Sequence, residues 1–246
     1  KSLERDLERV GNSLLSPPSS TDELLNLLER AEGLLSKVWQ QPPKRLRRAL
    51  LPVMKALIAD DLLRSHDTSV QVVLASCFNE LTRITAPDFT YPDELMKEIF
   101  RLFIISFKQL SCASNLNYSR SLKILETMAK VKSSLMLVDI DSDGLINEMF
   151  QLFLNHARSD HHSETFKYME DIMNLVIQEI DSISTELLSL LLDSVRLGNK
   201  IDSPFSWNLG RRVFKKCGAK LRSYIQAAVK TMNLDVANYA EIVTSI

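Results

Sequence analysis

Apolar side chains in this sequence return every three or four residues in helix-length stretches, and the stretches come in pairs that repeat. The first member of each pair begins near positions 51, 93, 142 and 184, a period of about 40 to 50 residues. Second members share a pattern: Val70, Leu74, Cys77 and Leu81 in one, and Phe166, Met169, Met173 and Ile177 in another. Asp67 or Ser163 precedes each, placed to cap a helix. Such spacing puts these side chains on one helical face. Two such helices cannot cover their own apolar faces, so consecutive pairs must stack into one continuous core with extended outer surfaces. Composition agrees: 39 Leu against 6 Gly and 8 Pro favour helix and leave few places to turn.

The expected fold is all-α, an α-solenoid of about five to six HEAT-type helix pairs. Helices are predicted over 51–64, 69–84, 93–110, 118–137, 142–156, 163–180, 184–197 and 204–217. Residues 1–50 read as N-terminal capping helices, one of them starting at the capping signature Ser20-Thr21-Asp22-Glu23 and carrying Leu24, Leu28 and Leu35. Residues 51–217 read as four helix pairs and 218–246 as the start of the next, all in one domain. No stretch alternates with period two, so no sheet is expected.

Lys and Arg total 30 against 31 Asp and Glu, and 45% of residues are hydrophobic. These are globular values, and a net charge of -1 gives no overall drive toward nucleic acid or an anionic membrane. Cys77, Cys112 and Cys217 are an odd number at wide spacing, which points to reduced thiols rather than a disulfide framework or zinc site. The apolar runs at 102–107 and 187–192 fall far short of the roughly 20 residues that span a bilayer. Starting at Lys1 without a short apolar signal region, the sequence reads as a segment of a longer chain.

Several clusters suggest chemistry. Asp139 to Gly144 matches the first half of a calcium loop, but the twelfth position is Phe150 where a bidentate carboxylate should stand; a polar turn is the better account. His156, Asp160, His161 and His162 could be a metal or catalytic cluster, yet nothing at matching spacing supports them, and a turn between helices is favoured. The Gly residues are isolated, so phosphate loops and nucleophile elbows are missing and an enzyme is disfavoured. Two basic regions stand out: Lys37, Lys44, Arg45, Arg47 and Arg48, and then Arg211, Arg212, Lys215, Lys216, Lys220 and Arg222. The second is the stronger candidate for phosphate, whether DNA or an inositol polyphosphate. The loop Ala86-Pro87-Asp88-Phe89-Thr90-Tyr91-Pro92 is stiffened by two prolines. Its two aromatics and an acid either form a platform for a short peptide bearing an aromatic and an Arg, or Phe89 and Tyr91 plug the groove between repeats.

The run Leu74-Ala75-Ser76-Cys77-Phe78-Asn79-Glu80-Leu81-Thr82-Arg83-Ile84-Thr85-Ala86-Pro87-Asp88 resembles the cohesin regulators named for precocious dissociation of sister chromatids. In that family a helix with Cys and a later Arg-Ile enters an Ala-Pro-Asp-Ala-Pro-Tyr-type loop. Leu125-Glu126, Ala129 and Val131-Lys132-Ser133 resemble a second family helix, and Ile183 to Leu188 a third. The resemblance implies the N-terminal segment of a long HEAT-repeat scaffold, nuclear and chromatin-associated, that maintains and releases cohesin without being an enzyme. It implies that short Tyr-Ser-Arg-type peptides of cohesin-release and cohesion-protecting partners compete for the loop. Ala86, Pro87, Asp88 and Tyr91 match the motif, while Phe89 and Thr90 replace its Ala-Pro. Glu80 and Arg83, on the helical turn before the loop, are placed as rim contacts for an Arg or an acid of the peptide. The chain's own Tyr118-Ser119-Arg120 opens a predicted helix, so it reads as coincidence rather than as a ligand.

Overall fold

A computed structural model describes residues 2–88, 90–140, 143–156 and 163–246. Two compact units divide the chain, Lys1–Ser133 and Ser134–Ile246. The first contains α1 (Ser2–Leu15), α2 (Thr21–Leu35), α3 (Lys44–Leu57), the single turn α4 (Asp60–Leu63), α5 (Thr68–Thr85), α6 (Asp93–Phe107) with a 3-10 turn at Lys108–Ser111, and α7 (Tyr118–Val131). Helix α1 packs on α3, and α2 packs on α5, which in turn packs on α6 and α7. The second unit contains α8 (Ser134–Asp139), α9 (Asp143–His156), α10 (Ser163–Glu179), α11 (Thr185–Ser194), the turn α12 (Asn199–Asp202), α13 (Pro204–Thr231), a 3-10 turn at Val236–Asn238, and α14 (Glu241–Thr244). There α13 is the central element, against which α9, α10 and α11 all pack. Among the described residues the only β-pairing is an isolated bridge between Arg196 and Tyr239.

The predicted stripes are the cores. Val70, Leu74, Cys77 and Leu81 of α5 are buried, as are Met169, Met173 and Ile177 of α10. Phe100 and Phe103 of α6 pack edge to face at 5.6 Å, an arrangement that suits the ring quadrupoles. The capping residues behave as their chemistry requires. Asp67 Oδ1 accepts the Val70 amide at 3.0 Å and Ser20 Oγ that of Glu23 at 3.5 Å, each answering an amide that the first helical turn leaves unpaired.

Among the helix boundaries that differ from the prediction, three have identifiable reasons. The helix expected over 51–64 instead begins at Lys44, directly after Pro43, ends at Leu57 and carries Pro52 internally. Gly11 of α1 is what receives Pro52: a Cβ there would lie 2.6 Å from both Pro52 Cβ and the Val53 nitrogen. The helix predicted to 137 stops at Val131 because Lys132 turns left-handed, with φ of 58°. The last predicted helix does not end at Cys217, because Leu221, Ile225 and Ala228 continue its buried stripe to Thr231. Gly218 weakens that helix, but its bare face lets the Ile246 side chain close to 3.2 Å from where a Cβ would stand.

Candidate functional site

The loop after α5 is held by two glutamines that the sequence analysis did not single out. The last carbonyls of a helix lack intrahelical amides. Gln41, in the left-handed region with φ of 53°, donates its backbone amide to the Ile84 carbonyl at 2.9 Å. Its side chain donates to the Thr85 carbonyl at 3.1 Å and the Ala86 carbonyl at 2.9 Å. Gln40 Nε2 also reaches the Ala86 carbonyl, at 2.9 Å. These bonds offset a conformation that costs a non-glycine residue about 1–2 kcal/mol. Beyond Ala86 a cis peptide leads into Pro87; the Asp88 amide returns to the Thr85 carbonyl at 3.0 Å, and the Thr85 and Thr90 hydroxyls meet at 2.7 Å.

Tyr91 closes the loop. Its ring meets Phe78 edge to face at 5.9 Å and its hydroxyl donates to the Met54 carbonyl at 2.7 Å. Only 9% of Tyr91 is exposed, and burial pushes its phenol pKa well above the usual value. Of the two readings of the loop's aromatics, Tyr91 is the plug; Phe89 lies outside the described residues. Pro87 and Asp88 are exposed, Thr90 is half-buried and Ala86 is buried.

Glu80 is not on the rim. Its side chain is buried, with one oxygen 2.8 Å from the Arg83 guanidinium and the other 2.8 Å from Lys123 Nζ. Arg83 also donates to the Leu35 carbonyl at 3.2 Å, so it closes the C-terminus of α2. Spacing put both residues near the loop correctly, but one helical turn earlier on α5 they face the neighbouring helices. What does face the loop is a groove of about 310 Å³ between α3 and the end of α5. Leu50, Leu51 and Met54 supply its apolar side, with Arg47 and Asp88 as its charges. Leu51 is 58% exposed, and Trp39, on the segment between α2 and α3, is 83% exposed. Of the groove's α3 residues only Arg47 was singled out, as part of a basic region, and Leu50, Leu51 and Met54 were not; the signal available was the repeating basic and apolar pattern of Lys44 to Met54.

The basic cluster on α13 is divided. Arg211, Arg212 and Lys215 line one cavity of about 610 Å³, together with Phe166, Phe205 and Ile242. Arg222 lines a separate cavity of about 320 Å³. Lys220 donates its ammonium to the carbonyls of Gln178, at 3.1 Å, and Ile180, which closes the C-terminus of α10. Lys216 is exposed one turn beyond Arg212, and the six cations spread over about half of the helix circumference rather than along one narrow stripe. In the first basic region Arg45 is engaged by Glu4 at 2.7 Å.

The remaining clusters are quickly placed. Asp139 ends α8, while Asp141 and Ser142 of the calcium half-motif, and Asp160, His161 and His162, lie outside the described residues. Among the described residues no three His, Cys, Asp or Glu side chains are grouped to hold a metal, and no helix is long and apolar enough to cross a membrane. Tyr118-Ser119-Arg120 does open α7, with Arg120 paired to Glu32 at 3.0 Å and Glu29 at 3.4 Å.

A family model described as the sister chromatid cohesion protein PDS5 matches residues 22–235, which include the loop, the groove and the three stretches of resemblance. The chain belongs to the PDS5 family. Two relatives from Arabidopsis thaliana, PDS5 homolog C and PDS5 homolog D, are 42% identical over 246 residues and 43% identical over 244. The chain spans 28% and 30% of their lengths, and they cover 100% and 99% of it. The pds5 protein of Schizosaccharomyces pombe is 26% identical over 219 residues, 85% of this chain and 18% of its own. A solved structure described as "Structure of the Pds5-Scc1 complex and implications for cohesin function" superposes with a TM-score of 0.73 at 22% identity, over 89% of this chain and 35% of that one. That likeness bears out the fold class: all-α, a solenoid of HEAT-type helix pairs.

Proposed function

We propose that this chain is the motif-capturing segment of a non-enzymatic, chromatin-associated scaffold that regulates cohesin in the nucleus. Its groove takes short Tyr-Ser-Arg-type peptides. Membership of the PDS5 family supports the cohesin setting. The observation that supports peptide capture is the groove beside Asp88, with an apolar wall of Leu50, Leu51 and Met54 and an exposed carboxylate at its edge. A peptide tyrosine would lie against that wall, and a peptide arginine would form a charge-assisted pair with Asp88. The glutamine bonds at Ala86 and the Tyr91 anchor hold the two ends of the loop before a ligand arrives, which lowers the ordering cost left for binding. Cohesin-release and cohesion-protecting partners that carry the same motif would exclude each other, and their local concentrations would decide between release and protection.

The alternative, phosphate capture of DNA or an inositol polyphosphate by Arg211 to Arg222, is less well supported because Lys220 already donates to the carbonyls of Gln178 and Ile180 and Arg212 is paired with Glu170. The test is a titration of a fluorescent Tyr-Ser-Arg peptide into the wild-type chain and an Asp88→Lys variant, with an Arg-to-Ala peptide as control. Micromolar binding that disappears in both controls is the expected result. Equal affinity for wild type and variant, or no binding to the wild type, would remove the proposal.

A further inference from the structure

We propose that the cavity of about 610 Å³ on α13 is a second peptide-docking site, and that its occupant is an acidic segment carrying an aromatic or large aliphatic anchor. The two halves of the cavity differ in chemistry. Phe166 of α10, Phe205 of α13 and Ile242 of α14 make one side apolar, while Arg211, Arg212 and Lys215 make the other cationic. Among the described residues no acidic side chain lines it.

The cations are prepared to different degrees. Arg212 is held by Glu170 at 3.2 Å and lies 5.0 Å over the Phe166 ring, so its position is fixed from two directions. Arg211 lies 5.9 Å over the Trp207 ring, itself almost buried, and has no carboxylate partner among the described residues. Lys215 stands one turn beyond Arg211 on the same face and likewise has no carboxylate partner among the described residues. Among the described residues, then, two charges without a carboxylate partner and one with a partner surround an apolar hollow of the size that accepts a few side chains.

Charge complementarity selects an anionic ligand, and the apolar half selects one with an anchor to bury. A nucleic-acid backbone fits less well. A phosphate backbone offers nothing to bury against Phe166, Phe205 and Ile242, and Lys220 is already taken up in closing α10. A protein segment with two carboxylates flanking Phe, Leu or Ile satisfies both halves at once. The site belongs to the second unit, so it is separate from the groove beside Asp88.

A phage-displayed library of random 12-residue peptides, selected on the 246-residue chain and counter-selected on an Arg211→Glu/Lys215→Glu double variant, tests this directly. Both positions are exposed, and an unchanged melting temperature verifies that the variant is folded. The expected enrichment is an apolar residue with Asp or Glu on both sides, and a synthetic peptide of that sequence should bind wild type at least tenfold more tightly than the variant. Replacing its apolar residue with Ser should cost a similar factor. Enriched peptides without acids, or equal affinity for both proteins, would overturn the proposal. So would tighter binding of a 12-nucleotide DNA strand than of the peptide at the same salt.

Discussion

The Tyr91 hydroxyl donates to the Met54 carbonyl at 2.7 Å, which ties the end of the Ala86 to Pro92 loop to the last turn of α3. Met54 is among the last four residues of α3, whose carbonyls have no amide of their own helix to accept. The tyrosine therefore supplies a missing donor and ties the end of the loop to the helix that forms one wall of the groove. Tyr91→Phe keeps the ring against Phe78 and removes only the bond, which should lower unfolding free energy by about 1–2 kcal/mol. Urea denaturation reads this loss. Peptide affinity should fall by a few fold, since the loop loses one anchor but keeps its glutamine bonds; an unchanged denaturation midpoint would show that the hydroxyl does not hold the loop.

Glu80 is expected to matter for stability and not for ligand. Its carboxylate is buried between Arg83 and Lys123, but those partners are partly exposed, their side chains 25% and 53% accessible. Glu80→Gln therefore strands no fully buried charge, and the cost should be about 1–3 kcal/mol. Thermal unfolding measures it, and the Tyr-Ser-Arg peptide should bind the variant as it binds wild type. A large loss of affinity without loss of stability would return Glu80 to the rim.

Helix pairing, the α5 and α10 stripes, and the place of the loop were legible because each depends on local spacing. Asp67 and Ser20 were legible as caps for the same reason. Glu80 misled because a position on a helix fixes its direction only once the neighbouring helices are known; here α2 and α7 bring it Arg83's second partner and Lys123. Gln40 and Gln41 were invisible because they act on carbonyls more than forty residues away. The same is true of Lys220, whose charge suggested phosphate while its partners are the carbonyls of Gln178 and Ile180.

The approach of α1 to α3 gives a paired test. Gly11→Ala would place a Cβ 2.6 Å from the Val53 nitrogen, which is backbone and cannot rotate away, so α1 must shift. Overpacking of this kind costs about 1–3 kcal/mol or more. Gly33 in α2 has nothing within 4 Å of its would-be Cβ, and Gly33→Ala should stabilise by about 0.5–1 kcal/mol through helix propensity alone. Opposite shifts in melting temperature are the expected outcome; equal shifts would contradict the close α1 to α3 contact.

The three thiols should separate cleanly in reactivity and in pH response. Cys77 and Cys217 are buried and Cys112 is exposed. Burial pushes the Cys77 thiol well above its usual value, with Glu32 adding to the rise, and burial raises Cys217 to about 11. At pH 8 a thiol-specific chromogenic disulfide should therefore label one equivalent in native protein and three after denaturation. Raised folded-state values also fix a sign. The unfolded chain releases these protons near pH 8.5 while the folded chain retains them, so stability is full below that pH and falls as pH climbs toward 11. Tyr91 shifts in the same direction, for the same cause, and adds to the loss above about pH 10. Melting temperature should hold nearly level from pH 6 to 8 and then decline, and in Tyr91→Phe the decline above pH 10 should be shallower. Labelling of two or three equivalents in native protein, or a melting temperature that rises with alkali, would contradict the burial of these groups.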